Sequence, residues 1–404
     1  MEVWLGRTRP IRLCMLTHSI YQRDSRVRRY AEYLAEDNML VDVICLASDR
    51  GEPPRERKNI RIYAIPLTRS RREGFLHAME WLYSIFLMGL YLTWLDIRYR
   101  YDLVHVHNMP DFIVFCALLP RLRGRPVILN LHDPVPEVTQ SKLSLSPRHP
   151  LVRIQAFIEK VSVAFSSHVI TATNSFKELL VQRGVPPDKI TVVRNAADER
   201  IFKHPANPAR TSSRKERFTL LYVGTVAPRY GLDVIIRALP LLRSEIPNLR
   251  LRVVPKIVHE GIGLKQALSL AKELGVEDMI QVDEPVPLDQ MPAIMGEADL
   301  GVYPALRDCH MDLAMSLKIP EMANVGLCIV GTRLSVLEEY FGEDAIAFVP
   351  SGDYEALARR ISELYHNPEL RQRLARRAAE RSREFNWQSQ YEIYRQLLQR
   401  LLNS

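Results

Sequence analysis

What the sequence is short of narrows the field first. Cysteine is scarce: Cys14, Cys45, Cys116, Cys309 and Cys328 are scattered, odd in number, without a CxxC pair, and mostly inside apolar runs. That argues against a disulfide framework and fits reduced thiols acting as small core residues in a cytoplasmic setting. No uncharged run reaches the roughly 20 residues of a membrane-spanning helix. No short repeat or low-complexity tract appears. The opening MEVWLGRTRPIRLCMLT has only a short apolar run, which reads as a buried strand rather than a signal peptide.

What is present is enough for a large core. The 404 residues are 47% hydrophobic and 25% charged, ordinary for globular chains, and the length points to about two domains. The formal net charge of +8 favours anionic partners such as phosphates or an acidic membrane face. No basic–aromatic motif or helix-turn-helix signature supports a nucleic-acid partner.

One apolar stretch stands out. WLYSIFLMGLYLTWL, residues 81–95, has no charge, carries two Trp and two Tyr, and is flanked by Arg69, Arg71 and Arg72 before and by Arg98 and Arg100 after. Aromatics with basic flanks suit a helix (76–97) lying in an anionic membrane interface. The alternatives are a buried core helix or a dimer face.

Apolar runs at 11–17, 40–46, 60–65, 102–106, 126–131, 168–173 and 190–193 alternate with helical patterns, the first over 24–36. Strands this apolar are buried on both faces, which means a parallel sheet covered by helices. KHPANPARTSSRKER, residues 203–217, breaks the pattern as a polar linker. A second series follows, with strands at 218–223, 249–254, 279–282, 299–303 and 327–330. Its helices fall at 232–242, 264–274, 287–298, 316–324, 353–365, 368–385 and 388–402. The expected architecture is α/β, with two doubly wound Rossmann-like halves facing each other across a cleft and ligands at the carboxyl ends of strands.

DCHMDLAMSLKIPEMANVG, residues 308–326, concentrates the chemistry. Asp308, His310 and Asp312 alternate, a pattern that in an extended segment could ligate a metal. The plainer expectation is a polar loop after a strand, with no metal. Ser316 is the expected N-cap of the helix that follows. Amides at such a start attract phosphate, Lys318 adds positive charge there, and Glu321 one turn on could accept both hydroxyls of a ribose.

SLKIPEMANVGLCIVGT resembles the nucleotide-sugar motif of GT-B glycosyltransferases of family 4. LYVGTVAPRYGLDVIIRAL (221–239), ITVVRNAADERIF (190–202), EADLGVYPAL and the tail FNWQSQYEIYRQLL resemble other parts of that family. The resemblance is looser over 17–46. It implies a GT-B fold, with an acceptor domain over 1–202, the linker 203–217, a donor domain over 218–385, and a final helix (386–404) crossing back to the first domain. It implies diphosphate contact by the backbone amides of Ala314, Met315, Ser316 and Leu317, and ribose contact by Glu321, the second glutamate of an E-x7-E motif. The first glutamate falls on Leu313, with Asp312 the nearest substitute. Thr225 and Tyr230 stand where the family has Arg and Lys, so Arg229 and Lys256 are the candidate phosphate contacts beside Lys318. The strand ends YDLVHVHNMPD and VILNLHDPVPE place His107, His132, Asp133 and Glu137 toward the cleft.

The resulting expectation is a metal-independent, cofactor-free transferase that retains the configuration of a sugar moved from a UDP- or GDP-sugar. His132 and Asp312 would act at the sugar. Arg26, His107, Asp133 and Glu137 would line the acceptor side. The acceptor would be a glycan or a polyprenyl-diphosphate-linked sugar, in cell-surface polysaccharide or glycolipid synthesis at the cytoplasmic membrane face. The alternatives are a non-catalytic nucleotide-sugar-binding protein and a nucleotide-sugar hydrolase or epimerase.

Overall fold

A computed structural model describes residues 9–47, 57–66, 75–203, 217–255 and 261–403. Most of the expected linker, and Lys256, lie outside the described residues. The chain forms two compact units, residues 1–193 with 391–404, and residues 194–390.

The first unit runs β1 (Arg12–Ile20), α1 (Ser25–Glu36), β2 (Leu40–Leu46), β3 (Ile60–Ile65), α2 (Phe75–Tyr99), β4 (Leu103–His107), α3 (Leu118–Leu122), β5 (Val127–Leu131), α4 (Val135–Leu143), α5 (Pro150–Phe165), β6 (His168–Thr171), α6 (Asn174–Gln182) and β7 (Ile190–Val192). A 3-10 segment, Asp111–Ala117, precedes α3. The seven strands are parallel, in the order β3-β2-β1-β4-β5-β6-β7. Every residue of β4 and β5 is buried, as two covered faces require. Helix α1 turns Val27, Tyr30, Ala31 and Leu34 inward at helical spacing, and the Asp24 carboxylate caps it by accepting from the Arg26 and Val27 amides.

The second unit runs β8 (Phe218–Gly224), α7 (Leu232–Leu242), β9 (Leu249–Pro255), α8 (Gly261–Glu273), β10 (Ile280–Val282), α9 (Met291–Glu297), β11 (Leu300–Tyr303), α10 (Lys318–Asn324), β12 (Cys328–Thr332), α11 (Ser335–Phe341), β13 (Ala347–Val349), α12 (Tyr354–His366) and α13 (Pro368–Glu384). Its six parallel strands are ordered β10-β9-β8-β11-β12-β13. Both units are thus doubly wound, and each reverses strand order once: between β1 and β4, and between β8 and β11. Those reversals open a crevice at the strands' carboxyl ends, the usual ligand position in such sheets.

The last helix, α14 (Trp387–Asn403), joins the first unit from Tyr391 onward. Its Tyr391 hydroxyl donates to Asp37 at 2.7 Å, and the buried Tyr394 hydroxyl lies 2.8 Å from His105 Nδ1.

Helix α2 answers the question its sequence raised in two ways at once. Ser84, Met88, Leu92 and Leu95, three or four apart, are buried in the core of the first unit. Its opposite face is exposed and equally apolar. Among the described residues no helix is long and apolar enough to cross a membrane.

Candidate active site

The reversal point of the first unit gathers imidazoles. Thr17 on β1 is in register with His107 at the end of β4, and His107 with Asn130 on β5. His105 and His107, two apart on one strand, share a face. Their rings lie with centroids 4.2 Å apart and planes tilted by 30°, and Tyr30 of α1 meets His105 edge-on at 5.0 Å. His105 is held on both nitrogens, by Tyr394 and by Asn130 Nδ2 at 3.2 Å. His107 Nδ1 lies 3.1 Å from His132 Nε2, while His107 Nε2 is buried without a partner among the described residues. The His132 amide donates to Asn108 Oδ1 at 2.8 Å, which fixes the backbone just beyond β5.

Burial sets the charge state of this cluster. It pulls the pKa values of His105, His107 and His132 well below the ordinary imidazole value. Neighbouring imidazoles and Arg26 push the same way, and Asp133 opposes this at His132. The three rings are therefore neutral near pH 7, and His132 acts there as a hydrogen-bonding group rather than a cation. Asp111 is buried, accepts from Asn108 Nδ2 at 3.0 Å, and is pushed up to about 7 by that burial.

Arg26 lies over the same strand ends, 3.8 Å from both Asp24 and Asp133. Burial alone would raise the Asp24 carboxyl, but Arg26, the Ser19 hydroxyl and the Val27 amide outweigh it and hold it below its usual range. Glu137 stands apart from this group. It is buried on α4, and Arg183 bonds both Glu137 and Glu159, the latter at 2.6 Å. Its charge is compensated inside the unit, where the pair holds α4 and α5 to the end of α6.

In the second unit the cations converge at β8 and β11. Gly224 ends β8 with φ +114°, and a Cβ built there would fall 2.2 Å from Lys318 Cε. The missing side chain is what admits Lys318, whose Nζ sits 5.0 Å from the centre of the Tyr230 ring and 5.9 Å from that of Tyr303. Gly231, with φ +68°, lets the next turn close on the Pro304 carbonyl. Arg229 lies 5.5 Å from the Tyr230 ring, and its Nη2 donates to His310 Nδ1 and contacts Met311 Sδ at 3.4 Å. Among the described residues no carboxylate pairs with Arg229. Glu321 is buried one turn after Lys318.

The loop before α10 corrects two expectations. Leu317, not Ser316, occupies the N-cap, and no side chain among the described residues caps the helix. Ser316 instead closes the turn with its backbone carbonyl, accepting from the Ile319 amide, and Pro320 in the first turn lacks the N–H that a cap would serve. The Ala314 amide is engaged by the His310 carbonyl at 3.0 Å. The amides of Met315, Ser316 and Leu317 donate to no group among the described residues, and neither does the Ser316 hydroxyl.

The alternating Asp308, His310 and Asp312 do not converge. Asp308 accepts from the His310 and Met311 amides, His310 faces Arg229, and Asp312 accepts from Arg307 and from the Ser335 amide, each at 2.8 Å. Asp312 is thus held in a half-buried ion pair.

Sequence reasoning missed several members of these sets. Tyr394 reaches His105 from the far end of the chain. Asn108 and Asn130 carry no local signal beyond their place at strand ends. Asn195, within the second unit, steadies the loop before α10 by donating to the Met315 carbonyl at 2.9 Å.

A family model described as a glycosyl transferase 4-like domain matches residues 24–196, and one described as glycosyl transferases group 1 matches residues 204–381. D-inositol 3-phosphate glycosyltransferase of Thermobispora bispora is 26% identical over 316 residues, covering 75% of this chain and 72% of the relative. That of Streptomyces coelicolor is 25% identical over 385 residues, covering 89% and 82%. Sucrose-phosphate synthase from Thermosynechococcus elongatus superposes with a TM-score of 0.77 at 17% identity, covering 96% of this chain and 99% of that one. Anabaena HepE in complex with UDP and glucose gives 0.74 at 16%, with the same coverage. The solved structures share the fold of two parallel-sheet units, and the two family models span most of the chain: it belongs to the family 4 (group 1) glycosyltransferases of GT-B fold, and it is a glycosyltransferase.

Proposed function

We propose that the second unit binds a nucleotide-sugar, with UDP-sugars the first class to test, and that the first unit presents the acceptor hydroxyl. The observation that carries this reading is the convergence at the end of β8. Lys318 sits over Gly224, and among the described residues Arg229 has no carboxylate partner and the Met315, Ser316 and Leu317 amides have no acceptor. Two cations and a row of free amides suit a diphosphate, whose leaving-group charge they would stabilise as the anomeric C–O bond breaks. Glu321 would accept the ribose hydroxyls. Lys256, outside the described residues, would be a further phosphate contact. That Anabaena HepE is in complex with UDP and glucose supports UDP as donor base.

In this reading the nucleoside diphosphate leaves with the bonding electron pair. The acceptor oxygen bonds to the anomeric carbon on the face just vacated, and its proton passes to the departing phosphate. Configuration is retained. His132, neutral and held by His107, would hydrogen-bond the sugar. Asp312, fixed by Arg307, would meet sugar hydroxyls. Arg26 and Asp133 would contact the acceptor, and Glu137 would act a layer further in by fixing α4. The acceptor is a glycan or lipid-linked sugar hydroxyl. A small phosphorylated polyol is the second reading, favoured by the D-inositol 3-phosphate glycosyltransferases among the relatives.

Calorimetric titration with UDP and GDP, and transfer assays with both acceptor classes, test this. Lys318→Ala and Glu321→Ala should each weaken nucleotide binding by about tenfold to a hundredfold, as loss of a hydrogen bond to a charged group does. Unchanged binding and unchanged transfer in both variants would falsify the assignment.

A further inference from the structure

Neither set of site residues uses the exposed face of α2. Leu82, Tyr83, Phe86, Leu90, Trp94 and Ile97 form a stripe at helical spacing, each 51–61% exposed. A helix on a protein surface ordinarily turns charge outward. This one presents an apolar stripe about 22 Å long. The segment 111–122 runs alongside it, with Gly89 against Cys116 and Arg123 reaching Asp96 at 2.6 Å. Helix α3 adds Leu118 and Leu122, the latter 75% exposed. Single exposed apolar residues are commonplace, but a contiguous patch of this kind marks an interaction surface.

Charge identifies the partner. Between residues 81 and 125 the carboxylates are Asp96, Asp102 and Asp111, and all three are buried. The five arginines of the same span, Arg98, Arg100, Arg121, Arg123 and Arg125, are all exposed. They collect at one end of the stripe, around a cavity of about 280 Å³ lined by Asp96, Arg100, Tyr101, Arg123 and Arg125. Asp96 neutralises Arg123, while the Arg100 and Arg125 side chains have no ion pair among the described residues. The cavity lies at the amino ends of β4 and β5, the opposite end of those strands from His107 and His132, so it is separate from the acceptor set. A second copy laid parallel on this stripe would oppose arginines to arginines, with no exposed carboxylate between residues 81 and 125 to answer them. An anionic bilayer answers both the charge and the apolar stripe. With its other face locked in the core, α2 can lie in such a surface but cannot cross it.

We propose that this face docks on an anionic lipid bilayer, with the α2–α3 stripe in the headgroup–acyl boundary and the Arg100–Arg123–Arg125 cavity receiving a headgroup phosphate. Vesicle binding needs neither donor nor acceptor, so this proposal and the donor reading stand or fall separately.

The test is flotation of the full chain with phosphatidylcholine vesicles, with and without phosphatidylglycerol. Binding should require phosphatidylglycerol, weaken with salt, and bring Trp94 within reach of quenching by brominated lipid. Phe86→Ser and Trp94→Ser should each weaken binding about tenfold. Arg100→Gln and Arg125→Gln should each weaken it roughly fivefold. If the serine variants do not fold, quenching in the parent chain decides the stripe by itself. Failure to float with phosphatidylglycerol overturns the proposal. So does a dimer in light scattering that Phe86→Asp dissociates, which would make the face a subunit interface. Inorganic phosphate that stabilises the parent but not the arginine variants, with vesicle binding equal in all, would assign the cavity to a soluble anion and overturn the headgroup assignment.

Discussion

At the scale of single residues the donor set depends on an atom that is missing. A Cβ at Gly224 would occupy the place of the Lys318 side chain, and φ +114° already disfavours any other residue. Lysine is flexible enough to swing aside, so Gly224→Ala should cost about 1–2 kcal/mol in stability while displacing the ammonium from the phosphate position. The expected result is UDP binding as weak as in Lys318→Ala. Gly184→Ala is the control: Gly184 has φ +88° with open space around it, so a similar loss of stability should leave UDP binding unchanged. Calorimetry and thermal melts on the two variants separate strain from displacement. A second residue-scale prediction concerns Asp111, which burial pushes up to about 7. Between pH 4 and 7 the unfolded chain gives up this proton while the folded chain keeps it, so the stability Asp111 contributes is lost as pH rises through that window. Asp111→Asn has no such titration. Its stability relative to the parent should therefore rise from pH 4 to pH 7, by up to about 4 kcal/mol, in urea melts across the range. A constant difference would show that the folded carboxyl ionises normally.

At the scale of elements, α14 shows what a distant segment adds. Tyr394 partners the buried His105 Nδ1, and Tyr391 partners Asp37, whose environment is wetter. Tyr394→Phe would leave an imidazole nitrogen unpartnered in the core and should cost about 1–3 kcal/mol; Tyr391→Phe should cost less, about 0.5–1 kcal/mol. Denaturant midpoints at unchanged m-value test the ranking. This pairing also marks where sequence reading stops. Parallel strands buried on both faces are plain apolar runs, so nearly every strand was legible, and α7, β2 and β3 fall on the residues their patterns picked out. Helix α1 was legible from the helical spacing over 24–36, within which it runs from Ser25 to Glu36. The three-residue β13 and the 3-10 segment Asp111–Ala117 have no periodicity to read. Ser316 was misread because Ser before an apolar helix is the common cap, whereas here the preceding turns deliver the chain with Leu317 already in helical geometry. Tyr394 could not be placed beside His105 by any local pattern, since only the fold brings residues so far apart together.

At the scale of the whole molecule, the two units divide the candidate chemistry, and that division can be measured. Every proposed donor contact lies in the second unit, and the histidine cluster lies in the first. Ligand binding slows amide exchange where it supplies hydrogen bonds or suppresses local opening. UDP bound as proposed would give the Met315, Ser316 and Leu317 amides the acceptors they lack, while the Ala314 amide already has one in the His310 carbonyl. Saturating the full chain with UDP should therefore slow exchange in peptides covering 315–321 and 224–231. Peptides covering 103–107 and 127–133 should be unmoved by the nucleotide alone. At a hundredfold excess over Kd the native state gains about 2.7 kcal/mol, so the melting midpoint should rise together with that protection. In Lys318→Ala both effects should shrink in step, because one lost phosphate contact underlies both. Protection that appeared at 127–133 and not at 315–321 would put the nucleotide on the first unit and reverse the assignment of donor and acceptor.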